Sequence, residues 1–192
     1  MGREKKFSRE ELWDATRELV LEVGYTGFTF SLLAERLDIS RAAIYKQFHN
    51  KEDLMIDYMV YEMEFSIALL QSIDANKDFE HQLDDLLNKM YSMKDVHQAL
   101  GLATTIPSTT EHVIQQKQKL GGMHRDLYAP LVKVIDQGKS EGKIAQHRSA
   151  NMLLGFIFQT IDVPNFERLT PENLIQEMKE FILYGLIGKN IE

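Results

Sequence analysis

The sequence contains no cysteine, which excludes disulfides, cysteine-ligated zinc, iron–sulfur clusters and thiol catalysis. Long apolar runs are also missing. Runs such as the seven residues Met152–Phe158 fall far short of the roughly 20 that a membrane-spanning helix needs. The opening stretch MGREKKFSREE is too polar for a secretory signal, so a soluble, cytoplasmic protein with no membrane partner is expected. Strand signals are scarce: no run alternates convincingly between polar and apolar residues, and there is no Asn-Gly or Asp-Gly hairpin dipeptide. The six histidines show neither an HExxH motif nor a paired i,i+4 spacing, so no metal site is expected. The run Gly138–Ile144 superficially suggests a phosphate-binding loop, but Lys133 stands where that motif needs glycine. With no triad, metal set or nucleotide loop at a recognisable spacing, neither an enzyme nor a cofactor is implied.

What is present is an ordinary globular balance. The 192 residues are 44% hydrophobic and 27% charged, enough to bury a sizeable core in one domain or one with an appendage. The net charge of −7 is unevenly spread. Residues 1–51 hold 9 Lys/Arg against 8 Asp/Glu, whereas residues 52–192 hold 13 against 21. A near-neutral first quarter can still touch nucleic acid, while the acidic remainder repels it.

Helical spacing recurs along the whole chain. Leu12, Ala15, Leu19, Val20 and Val23 share one helical face, and Gly24 stops that helix. Asn50 is positioned to cap a long helix reaching about Ser72, with Glu52 and Asp53 in its first turn. Phe79–Met93 has amphipathic spacing. Ser108 or Thr109 is positioned to cap a further long helix ending near Gly138, where Gly121–Gly122 and Pro130 are potential kinks. Thr170-Pro171-Glu172 is a strong helix start.

The segment with a functional pattern is residues 24–54, GYTGFTFSLLAERLDISRAAIYKQFHNKEDL. Thr29 is placed to cap a short helix over Phe30–Leu37, and Ser40 to cap a second over Arg41–Phe48. Only Asp38-Ile39-Ser40 lies between them. Ile44 and Phe48 face inward, while Arg41, Ala42, Tyr45 and Lys46 face outward. After a longer first helix, this describes a tri-helical helix-turn-helix. Small residues at the start of the second short helix let its backbone approach a major groove.

From Gly24-Tyr25 through Thr29, Leu33-Ala34, Ile39-Ser40 and Ile44-Tyr45 to Phe48, Lys51 and Leu54, the segment closely resembles the DNA-binding domain of the tetracycline-repressor (TetR/AcrR) family. Two positions depart from the family pattern. Asp38 replaces a usual glycine in the turn, although Asp tolerates left-handed backbone, and Ala42 stands where many members have glycine. The resemblance implies phosphate contacts for Tyr45 and Lys51, and base-edge or phosphate contacts for Arg41 and Lys46. Thr29, Ser40, Ala42 and Gln47 complete the expected DNA-binding set.

The expected fold is all-α. Residues 1–50 form the helix-turn-helix domain, and residues 51–192 an all-helical domain for effector binding and dimerisation. Met59, Met63, Met90, Met93, Met123 and Tyr128 are candidate walls of an effector pocket, because methionine adapts to irregular ligands; core packing is the competing reading. The last helix carries Leu174, Ile175, Met178, Phe181, Ile182 and Gly185 at the spacing of a bundle seam, which a monomer's core also explains. The resemblance implies instead that this helix and the one near Met152–Phe158 pair with their copies in a dimer, with Met152, Gly155, Phe156, Met178, Phe181 and Gly185 as candidate interface residues. The resemblance thus implies a homodimeric repressor that binds a pseudo-palindromic site in double-stranded DNA and is released by a small molecule. The alternative is a helical partner-binding protein whose helix-turn-helix no longer reads DNA, for which Asp38 and the modest basic charge speak.

Overall fold

A computed structural model describes residues 7–101 and 105–185. These residues form nine α-helices and a 3-10 turn over Thr160–Asp162, with no strand among them. None of these helices is long and apolar enough to cross a membrane. The chain divides into two compact units: residues 1–65 with 95–123, and residues 66–94 with 124–192.

The first unit begins with α1 (Arg9–Gly27). Ser8 and Glu11 form a reciprocal capping box, with Ser8 Oγ accepting from the Glu11 amide at 3.0 Å and Glu11 Oε2 accepting from the Ser8 amide at 2.7 Å. Regular helix stops at Gly24, whose φ of 68° is open to glycine and strained for most other residues. Thr29 caps α2 (Phe30–Leu37) and Ser40 caps α3 (Arg41–Tyr45). The reading helix is therefore shorter than Arg41–Phe48. Its last residues tighten into turns, in which Gln47 and Phe48 both donate to the Ile44 carbonyl. Asn50 Oδ1 accepts from the Asp53 amide at 2.7 Å and starts α4 (Lys51–Gln71).

A domain boundary at residue 50 does not coincide with the compact units. The start of α4 is core to the first unit: Leu54, Met55, Ile56, Tyr58 and Met59 are fully buried. Trp13 of α1, equally buried, holds this core together, with ring centroids 6.0 Å from Phe48, 5.9 Å from Tyr58 and 5.8 Å from Tyr61. Beside it, the Arg17 guanidinium donates twice to Oε1 of Glu62, at 2.6 and 3.0 Å, and Glu62 is completely buried. The unit also contains α6 (Lys94–Gly101), a helix without a sequence expectation, and the first part of α7 (Glu111–Ser140). The cap of α7 is Thr110, not Ser108 or Thr109; its Oγ1 accepts from the Val113 amide and donates to Asp53. The helix is continuous through Gly121, Gly122 and Pro130.

The second unit contains α5 (Phe79–Ser92), the rest of α7, α8 (Ala150–Gln159), the 3-10 turn Thr160–Asp162, and α9 (Pro171–Tyr184). Leu83, Leu86, Leu131, Ile135, Leu154 and Leu174 are among its core residues. Gly138–Ile144 is a helix end and turn, with Gly142 at φ 72°.

Burial pushes the Glu62 carboxyl above its ordinary pKa of 4.5, although Arg17 pulls it back. In the window above 4.5 the folded chain then holds more protons than the unfolded one. Glu62's contribution is complete at the acid end and shrinks as pH rises through its raised pKa. A melting-temperature series from pH 4.5 to 8 should therefore fall less steeply with pH in Glu62→Gln than in the parent. Parallel profiles would refute the assignment.

Candidate nucleic-acid interface

The α2–α3 pair is ordered by its caps and by one buried stripe. Thr29 Oγ1 accepts from the Leu32 amide at 3.3 Å, and Ser40 Oγ from the Ala43 amide at 3.2 Å. Between the helices, Asp38 adopts the left-handed conformation, φ 54° and ψ 48°, that the usual glycine would supply. Its amide donates to Glu35, and the next amide, from Ile39, donates to the Ala34 carbonyl at 2.9 Å. The turn therefore keeps its form without glycine. Leu33 and Ala34 of α2 and Ala43 and Ile44 of α3 are buried, and Phe48 follows them into the core.

That inward stripe forces the opposite face of α3 outward. Arg41, Ala42, Tyr45, Lys46 and Gln47 are all exposed, as are Thr29 and Ser40 at the two caps. The structure thus places seven of the eight expected DNA-binding residues at exposed positions in and around the α2–α3 pair. Tyr45 is 48% exposed yet not loose: its ring stands edge-on to Phe30 with centroids 5.0 Å apart. The Arg41 guanidinium lies 6.0 Å from the Tyr45 ring centroid, a contact that favours one orientation of a long side chain. The small Ala42 leaves the backbone at the helix start uncovered.

Lys51 is the eighth, and its local reason differs from the one expected. A cation in the first turn of α4 opposes the helix dipole. Here Lys51 Nζ donates to the Tyr25 carbonyl at 3.1 Å and sits 4.3 Å from the Tyr25 ring centroid. Tyr25 in turn donates to Glu52 at 3.0 Å, and its phenol is pushed up to about 12, first by burial and then by that carboxylate. The half-buried ammonium therefore has intramolecular partners that already satisfy part of its donor capacity. Sequence spacing carries no signal for this pairing across 26 residues, nor for Arg36, which bridges to Glu22 and Glu18 of α1.

The other candidate sets are placed as follows. Met59, Met63 and Met123 are buried in the first unit, Met90 and Met93 in the second. Tyr128, also in the second, is 38% exposed and packs edge-on against Phe158 at 5.0 Å. The six thus fall in both units. On α8 and α9, Met152, Phe156 and Phe181 are 65%, 63% and 54% exposed, and Gly155 and Gly185 are also at the surface. Met178 departs from that set: it is buried, because its position on α9 shares the inward stripe with Leu174 and Ile175.

Comparison with known proteins is consistent with this geometry. Residues 12–58 match the family model of bacterial regulatory proteins, tetR family. The chain is 22% identical to the fatty acid metabolism regulator protein of Bacillus subtilis (strain 168), across 97% of this chain and all of that protein. Its fold is similar to that of the transcriptional regulator FadR from Bacillus subtilis in complex with stearoyl-CoA, with a TM-score of 0.67, 21% identity and coverage of 93% of this chain and 100% of the other. It is also similar to AibR in complex with isovaleryl coenzyme A and operator DNA, with a TM-score of 0.67, 17% identity and coverage of 92% and 97%.

With only five residues in α3, its own hydrogen bonds cannot sustain the helix. It depends on the Ser40 cap and the burial of Ile44. Ser40→Ala should lower unfolding stability by about 1 kcal/mol, measured by urea denaturation. No loss would show that the hydroxyl is dispensable as a cap.

Proposed function

We propose that this chain is a member of the tetR family of bacterial regulatory proteins, whose model matches residues 12–58, and that it is a repressor released from its operator by an acyl-coenzyme A thioester. The observation that carries the reading is the exposed face of α3, in which Arg41, Ala42, Tyr45, Lys46 and Gln47 stand out from a helix anchored by Ile44 and Phe48. A major groove admits one α-helix, and this one presents a small residue, an aromatic hydroxyl, an amide and two cations. Tyr45 and Lys51 take phosphates, while Arg41 and Lys46 approach base edges, with Gln47 beside them. Thr29 and Ser40 bring their helix N-termini to the backbone. A chromosomal target places this action in the cytoplasm, and the chain is read as a regulator and not as a catalyst.

The class of effector comes from the relatives. A FadR bound to stearoyl-CoA and an AibR bound to isovaleryl coenzyme A share an acyl thioester ligand, and the relative matched along the whole chain is a fatty acid metabolism regulator. Such a ligand lowers DNA affinity only by its preference for the conformation that does not bind DNA, and DNA lowers ligand affinity by the same factor.

Two copies read a pseudo-palindromic site, and the exposed apolar face of α8 and α9 is the surface proposed to join them. Met152, Phe156 and Phe181 lie on it, with Gly155 and Gly185 allowing close approach; Met178 is not part of it. Since Phe156 is exposed in a single copy, Phe156→Asp should leave the monomer folded while burying a charge in any dimer. Sedimentation should show a shift to monomer with a retained thermal transition. A variant that remains dimeric would move the interface elsewhere.

DNA contacts separate in a binding titration against single-base operator changes at several salt concentrations. Lys51→Ala should weaken all sequences alike and make the salt slope shallower by about one unit. Arg41→Ala should cost on the order of 1–3 kcal/mol at one base pair of each half-site. Uniform loss across the panel would assign Arg41 to phosphate instead.

A further inference from the structure

The connection between α8 and α9 presents an aromatic side chain that its own copy leaves in water. Phe166 is 87% exposed, more than any other large apolar residue described. The loop around it is closed by Asn165, whose Oδ1 accepts from the Leu169 amide at 2.9 Å and whose Nδ2 donates to the Leu169 carbonyl at 2.8 Å. Within that clamp the Phe166 amide donates to the Pro164 carbonyl at 3.1 Å. The chain then reverses at Arg168, with φ 56°. A backbone already fixed in this way loses little further freedom on binding, which suits an aromatic anchor at an interface.

The far end of the same two helices carries a groove of about 460 Å3. Met152, Phe156 and Phe181 line its apolar side, and Lys143 and Arg148 its polar side. No acidic side chain among the described residues lines it. Lys143 donates to Glu80 at 2.9 Å, so that pair is close to neutral. Arg148 is exposed, and no carboxylate among the described residues pairs with it. The groove is therefore apolar with one unmatched positive charge. The loop has the complement: Phe166 is followed by Glu167, which is exposed and has no ion pair among the described residues.

Within one copy the two features stay apart, because the ten residues of α8 hold its ends about 15 Å from each other. A two-fold axis crossing the middle of this face reverses the helix pair and lays each copy's loop over the other's groove. Resting on the reading of the α8–α9 face as the dimer surface, we propose that Phe166 of the partner subunit fills the groove and that Glu167 of the partner subunit pairs with Arg148. The contact is made twice, so both loops and both grooves are satisfied.

The test reads dimer dissociation of the full chain by sedimentation, with a melting curve for each variant. Phe166→Ala should weaken the dimer by about tenfold or more. Arg148→Glu and Glu167→Arg should each weaken it, since either change sets like charges against each other at both contacts. An equal mixture of those two variants should associate like the parent, because both contacts of the mixed dimer again join opposite charges. All three positions are exposed in a single copy, so the melting transition should be retained. Variants that dimerise like the parent, or a mixture that does not recover, would overturn the proposal. The absence of cysteine from the chain allows an independent check. A short bismaleimide should join Glu167→Cys chains to Arg148→Cys chains, with the second contact of that mixed dimer unaltered. Joining of Glu167→Cys chains to one another instead would bring the two loops together at the axis; the proposal then fails while the α8–α9 dimer stands. A parent chain that is monomeric, or whose dimer survives Phe156→Asp, removes the α8–α9 reading and this contact with it.

Discussion

Trp13 is the contact on which the first unit depends. It is fully buried, and it touches Phe48 at the end of the reading segment and Tyr58 and Tyr61 on α4. Aromatic pairs at such separations add about 0.5–1.5 kcal/mol each beyond their buried area. More important is what the cluster joins. A helix of five residues cannot hold its own orientation, so the exposed face of α3 is aimed by whatever Ile44 and Phe48 pack against. Phe48 packs against Trp13. The Arg17–Glu62 pair next to it ties α1 to the same stretch of α4. A buried charge pair contributes little net stability, but an alternative register would leave one charge alone at considerable cost. Together they make α1, α3 and the start of α4 one body.

The exposed residues of α3 proposed to face DNA inherit their placement from that body. Tyr45 leans on Phe30 and Arg41 on Tyr45, so the outward face is partly ordered before any partner arrives. Less side-chain entropy is then lost on binding. Lys51 is ordered by Tyr25 in the same way, at the cost of donors already in use. The interface combines a neutral small residue at the helix start with cations behind it, which suits close approach of backbone to groove better than a dense basic patch would. On the proposed reading, a segment with a net charge of only +1 across residues 1–51 can then serve a polyanion.

The second unit follows another logic. Its inward stripes on α5 and α9 make a core, but α8 is apolar on more than one side. Leu154 and Ile157 are buried, while Met152 and Phe156 remain in contact with water. Large exposed apolar side chains grouped on one face mark a surface that has a partner. One element thus serves both the core and an exposed apolar face.

Much was legible in the sequence because it depends on local periodicity and capping chemistry. The helices over Phe30–Leu37 and Lys51–Gln71, the stop at Gly24, and the inward Ile44 and Phe48 all follow from residues within a few positions of each other. Asp38 belongs here too, since tolerance of left-handed backbone is a property of the residue itself. What only the tertiary structure decided involves partners far apart in the chain. The pairing of Arg17 with Glu62 spans 45 residues and that of Lys51 with Tyr25 spans 26. Neither leaves a pattern in spacing, because two distant segments meet only once the core has closed. The inward turn of Met178 and the division of the methionines between two units are of the same kind. A side chain's type shows that it can be buried; the packing of other helices determines where.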